Sequence, residues 1–201
     1  EDGDGLSARF GPQGASPEAE RAVVSLGIHP EYSRFVTRDL AVLTLVSDAP
    51  VAPVAASLEP FGEERLGEPL TLVAFGQVQA GEAAPDRFRR QTQVELGELT
   101  EFQLKWFDEA RGACTGDSGG AVYGGDGALL GLIVEGDPGC VTWGAGVRFD
   151  RLAGFLDGSD EVVPPDDDDS AAEPTDCAAG CSQGIGAALL LPLLPFRRRR
   201  R

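Results

Sequence analysis

An all-β fold is what this sequence predicts, and three observations predict it. Apolar runs of strand length recur at 22–28, 40–46, 70–75, 92–96 and 129–134, with Gly, Pro and Asp clusters between them. The 201 residues include 27 glycines and 14 prolines, enough for many tight turns. Gly124-Gly125-Asp126-Gly127, between 121–123 and 129–134, is a hairpin signal. The length allows one or two domains, and no internal repeat is visible.

Taken in order, the runs have local reasons to be strands. Segment 22–28 (AVVSLGI) is rich in β-branched and aliphatic residues. Segment 40–46 (LAVLTLV) is almost continuously apolar and reads as a buried strand that starts just after Asp39. Segments 70–75 (LTLVAF) and 129–134 (LLGLIV) have the same character, while 92–96 (TQVEL) alternates. Residues 47–110 offer strand patterning without assignable chemistry, and 101–108 is expected to be a loop beside a cleft.

The chemistry concentrates at Gly116-Asp117-Ser118-Gly119-Gly120, with Cys114 four residues before the serine. Glycines let the backbone turn sharply and bring N–H groups close to a substrate carbonyl. Ser118 Oγ would attack that carbonyl, and the N–H groups of Gly116 and Ser118 would receive the developing oxyanion. An ordinary Gly/Ser turn has the same composition. Segment 113–122 (ACTGDSGGAV) nevertheless resembles the nucleophile loop of the trypsin/chymotrypsin-like serine proteases. A second match, at His29-Pro30-Glu31-Tyr32 and 38–45 (RDLAVLTL), resembles the family segment carrying the catalytic aspartate. That likeness implies that Asp39 turns its carboxylate inward to orient a histidine and stabilise the imidazolium. An acid at the entry to a strand would look the same from sequence.

The resemblance implies a chymotrypsin-like fold of two six-stranded antiparallel β-barrels with the active site between them. Residues 1–158 would form the protease domain, with 6–10 (LSARF) as a strand soon after the catalytic histidine and 150–156 as a terminal helix. The first barrel would then be incomplete in this chain. An unclosed barrel exposes strand edges, so residues 1–158 alone are expected to fold poorly or aggregate; a sharp cooperative melt would count against this.

The family order is His, Asp, Ser, and this chain has one histidine, His29, only ten residues before Asp39. The resemblance places His29 in a surface His-Pro turn, outside the catalytic position. Without a base the Ser118 hydroxyl is a poor nucleophile, so the chain as written is expected to be nearly inert. Truncation upstream explains this better than loss of the base in a binding homologue, because the whole histidine segment is missing, not just one residue.

The likeness also implies a Cys114–Cys140 disulfide, and with it an oxidising compartment. It implies a specificity pocket floored by Gly112 and walled by Gly136 and Gly146, open and mostly apolar, for cleavage after large apolar or aromatic residues. Val134-Glu135 departs from the Ser-Trp that the family usually shows before the glycine, so Glu135 and nearby Asp137 could reintroduce a preference for cationic residues. Asp117 would pair with a newly formed amino terminus, so without that partner the oxyanion hole is expected to be unformed. No metal site or cofactor is expected, since the chain has no Cys-x-x-Cys pair and one histidine.

Beyond the domain, 159–176 reads as a disordered acidic linker with Pro164-Pro165 and four aspartates at 166–169. Cys177 and Cys181, an apolar stretch at 184–196 and five terminal arginines follow. This order resembles the MYXO-CTERM sorting tails of myxobacterial surface proteins, implying transient retention in the inner membrane and processing near the cysteines. The arginines obey the positive-inside rule. Thirteen helical residues span only about 20 Å of an apolar core about 30 Å thick, so permanent spanning is not expected. A nucleic-acid partner is excluded by charge: without the terminal arginines, 12 basic residues face 33 acidic ones, a net −21. The expected protein is a monomer, secreted or held at a bacterial surface, acting on protein or peptide substrates. Two other classes stand beside this reading: a non-catalytic binding module on the same scaffold, and a structural surface protein with an accidental serine motif.

Overall fold

The computed structural model describes residues 5–32, 38–81 and 88–159, plus the backbone of 188–189. The linker and sorting tail, Cys177 and Cys181 included, otherwise lie outside the described residues. Nearly all regular structure is β, as expected.

Six strands close into an antiparallel barrel: β4 (Pro69–Ala74), β5 (Arg90–Leu99), β6 (Gln103–Phe107), β7 (Ala121–Tyr123), β8 (Leu129–Gly136) and β9 (Trp143–Arg148), in the order β4-β5-β6-β9-β8-β7. Period-2 alternation fills its interior. Val94 and Leu96 point inward from β5, and Leu104 and Trp106 from β6, between outward Gln103 and Lys105. Leu70, Leu72, Val122, Leu130 and Ile133 complete that core. Closure satisfies every strand edge.

The expected loop at 101–108 is therefore strand β6, paired with β5 and β9. Strand β9 was not anticipated either, because Gly144 and Gly146 suggest a loop. Gly144 is needed because the Trp106 ring occupies the space a Cβ would take.

A second sheet comprises β1 (Ser7–Phe10), β2 (Ala19–Ile28) and β3 (Ala41–Leu45), antiparallel in that order, with the two-residue β10 (Ala188–Leu189) parallel to β3. Strand β8 joins the two units. Its Leu130 and Ile133 enter the barrel, while Leu129, Leu132 and Val134 lie with Leu40 and Val42 of the second sheet. Helix α1 (Ala153–Asp157), shorter than the expected 150–156, adds Phe155 and Leu156 to that seam. Asp39 is thus tied, through buried Leu40, to the strand that also supports the Ser118 loop.

Candidate active site

The Ser118 loop is fixed by its own backbone. The Asp117 amide donates to the Cys114 carbonyl (3.0 Å) and the Gly120 amide to the Asp117 carbonyl (2.8 Å). Gly119 N–H donates to Ile133 of β8 (2.8 Å), and Ile133 N–H returns to Gly120 (2.8 Å). Gly116, at φ 90°, sits in a left-handed conformation suited to glycine. The Cys114–Cys140 disulfide, with Cα atoms 4.7 Å apart, ties this loop to the segment after β8.

Three amides of the loop, those of Thr115, Gly116 and Ser118, donate to no acceptor among the described residues. Gly116 and Ser118 are exposed, and Ser118 lines a cavity of about 190 Å³ with Thr115, Ile133, Glu135 and Gly136. Ser118 and two amides without an acceptor thus lie in one exposed loop. Asp117 is already seated, accepting N–H from Cys114 (2.8 Å) and from Gly76 (3.0 Å). Burial pushes its carboxyl above the usual range, and these amides and the Arg90 charge partly offset that.

Asp39 stands at the entry to β3. Arg38 before it has φ 58°, held by an ion pair to Glu31 (2.5 Å) and stacking on Phe102 (4.3 Å). The Asp39 carboxyl is half-buried, burial raises its pKa, and among the described residues it has no hydrogen-bond or ion-pair partner. It does not line the Ser118 cavity.

His29 is not the exposed turn residue expected. Its exposure is 7%, its ring lies 4.9 Å from that of Phe155, and Nδ1 accepts the Glu31 amide at 3.1 Å. The β2–β3 pairing continues through His29 N–H to the Leu40 carbonyl (3.0 Å), which draws the residue inward. His29 does not line the Ser118 cavity either.

The three glycines expected to line a specificity pocket are closely packed. A Cβ on Gly136 would lie 2.5 Å from the Ala113 carbonyl oxygen, so the wall touches the opposite side. Backbone of Cys140 and Val141 packs against Gly112 in the same way, each 2.8 Å from a Cβ there. At Gly146 the Leu132 carbonyl lies 2.9 Å from that position. These glycines permit backbone to approach backbone, and Gly136 lines the Ser118 cavity together with Ala113 and Cys140. Asp137 organises the loop after β8, accepting N–H from Gly139, Val141 and Thr142 and the Thr142 hydroxyl. The amide and hydroxyl of Thr142 lead in holding its pKa well below the carboxylate range. Its charge is thus used inside the loop, whereas Glu135 accepts one bond from Gln103 (2.9 Å) at the cavity wall. Among the described residues no group of His, Cys, Asp and Glu could hold a metal, and no helix is long and apolar enough to cross a membrane.

No family model matches this chain, and no curated protein matches it in sequence. Solved structures do match. An atomic-resolution structure of HBP shares 17% identity at TM-score 0.59, covering 70% of this chain and 66% of that one. A mutant of human heparin binding protein shares 15% at TM-score 0.57, covering 73% and 69%. The chain therefore spans about two thirds of the length of these neighbours. Identities this low speak for fold alone, and that fold is chymotrypsin-like, with a closed six-stranded antiparallel barrel carrying the Ser118 loop.

Proposed function

We propose that this chain carries the nucleophile of a serine endopeptidase that hydrolyses peptide bonds through an acyl-enzyme. The observation that carries the reading is the exposed Ser118 beside the unused amides of Gly116 and Ser118. A base takes the Ser118 proton while Oγ bonds to the scissile carbonyl carbon, and the two amides receive the oxyanion. Collapse of that intermediate expels the amine, which takes the proton from the base. Water then attacks the acyl-enzyme by the same route and frees Ser118. The base is a histidine outside these residues. Asp39 is its orienter, and a half-buried carboxylate without a partner supports that role. Without the base, the chain by itself is inactive.

Cleavage after large apolar residues is the specificity we assign. The disulfide supports maturation outside a reducing compartment. We assign the cysteine-bearing tail to transient membrane retention at a bacterial surface. A second reading, a non-catalytic binding module, is favoured by a Ser118 cavity that neither His29 nor Asp39 lines. Incubating the full-length protein with a fluorogenic peptide library decides between them. Hydrolysis that disappears in Ser118→Ala supports the endopeptidase; peptide binding without any turnover supports the module.

A further inference from the structure

The Ser118 loop is braced from a second cavity, of about 230 Å³, lined by Asp117, Gly76, Cys114 and residues of β4 and β5. Three charged side chains border it: Asp117, Arg90 of β5, and Arg111. Arg111 is engaged elsewhere, donating to the Gln93 carbonyl (2.9 Å) and pairing with Asp108 (3.5 Å). Arg90 is not so engaged. Its Nη1 donates to the Gly76 carbonyl at 2.7 Å, and the Gly76 amide donates to Asp117 Oδ1 at 3.0 Å. The closeness of this relay dictates the residue at its centre. A Cβ on Gly76 would strike Asp117 Oδ1 and lie 2.6 Å from the Asp117 amide nitrogen. Gly76 also touches Gly116: its Cα would be 3.2 Å from a Cβ there.

We propose that Arg90 is a positioning residue of the nucleophile loop, which acts through the Gly76 peptide to hold Asp117, and with it the turn that carries Gly116 and Ser118, in its seat. A chain terminus is then not needed to supply the positive charge. Leu72 and Ala74 of β4 and Ile133 of β8 add only apolar surface to the lining, so Arg90 and Arg111 are the charges facing Asp117. Burial disfavours the Asp117 carboxylate, and the Gly76 and Cys114 amides together with Arg90 oppose that effect. Arg90 is exposed, so its effect weakens as salt rises. The consequence for oxyanion binding rests on the endopeptidase reading; the bracing itself does not.

The test is a carboxyl ¹³C NMR titration of Asp117 in the full-length protein, with Arg90→Met and Arg90→Lys beside it. Arg90→Met should raise the Asp117 midpoint, and Arg90→Lys should restore most of the difference. An unchanged midpoint in Arg90→Met overturns the proposal. So does a blocked amino terminus that shifts the midpoint as much as Arg90→Met does. If Arg90→Met does not fold, the unmodified protein still decides: its midpoint should rise between low and high salt, and constancy overturns the proposal. None of these readouts needs turnover. A silent Ser118 with the expected Asp117 titration defeats only the endopeptidase reading, and a reactive Ser118 with an Arg90-independent titration defeats only this one.

Discussion

In the closed barrel, Trp106, Leu104, Leu130 and Val147 are fully buried, while Val24 and Ile28 of β2 and Val46, just past β3, are 50%, 43% and 61% exposed. The barrel also contains a buried ion pair. Arg148 donates to both carboxylate oxygens of Asp150 (2.9 and 2.7 Å) and to the Thr100 and Phe61 carbonyls. In the sheet the corresponding charges, Arg9 and Glu20, sit in solvent. The same contrast runs through the candidate site. Ser118 stands on the finished unit with its loop amides arranged, and Asp39 stands on the other with a carboxylate that nothing described satisfies. The two units therefore differ in completeness: hydrogen bonds within the loop and to β8 fix the Ser118 loop, and the Asp39 carboxylate has no partner among the described residues.

The largest effect should separate the two units by packing. Trp106→Ala should cost about 3–5 kcal/mol in denaturant unfolding, and Val46→Ala no more than about 0.5 kcal/mol. Similar losses at both positions would break the contrast. Next, Arg148→Met leaves Asp150 buried without its partner and should cost about 3–5 kcal/mol, whereas Arg9→Met should leave the unfolding midpoint unmoved. Reducing the Cys114–Cys140 bond, which closes a 26-residue separation, should cost about 3 kcal/mol. Differential scanning calorimetry with and without reductant reads that difference.

How much of this was legible in sequence depended on how local each cause is. The Ser118 loop is written in five consecutive residues, and glycines at 116 and 119 supply the left-handed turns it contains. The strand at 40–46 was visible as an unbroken apolar run. Strands β6 and β9 were not, because their character comes from partners far along the chain. Gly144 suits a strand only because Trp106 packs against it, and Lys105 suits one because it points outward between Leu104 and Trp106. His29 looked like a surface turn until Phe155, 126 positions later, was found over its ring. Gly136 shows the limit most clearly: a small residue either opens a pocket or lets backbone approach backbone, and only the Ala113 carbonyl decides.

The smallest effect sharpens the contrast at Asp39. Its folded-state pKa is raised by burial, so the folded chain binds the proton more tightly than the unfolded chain. Stability from this group is then fully present below the unfolded pKa and is lost as pH rises through the folded one. Asp39→Asn removes that dependence. The variant should be the more stable of the two near neutral pH, by less than about 1 kcal/mol after solvent screening, with the gap closing in acid. Thermal melts of both forms across that range measure it. A variant less stable than the parent near neutral pH, with the deficit shrinking in acid, would mean that Asp39 has an ionic partner.

The most direct measurement is organophosphonate labelling of the full-length protein, with the modified residue located by mass spectrometry. A single adduct on Ser118, absent in Ser118→Ala and formed about 10⁴-fold more slowly in Asp39→Asn, is the predicted result. A folded protein that gives no adduct on Ser118 would contradict the nucleophile assignment.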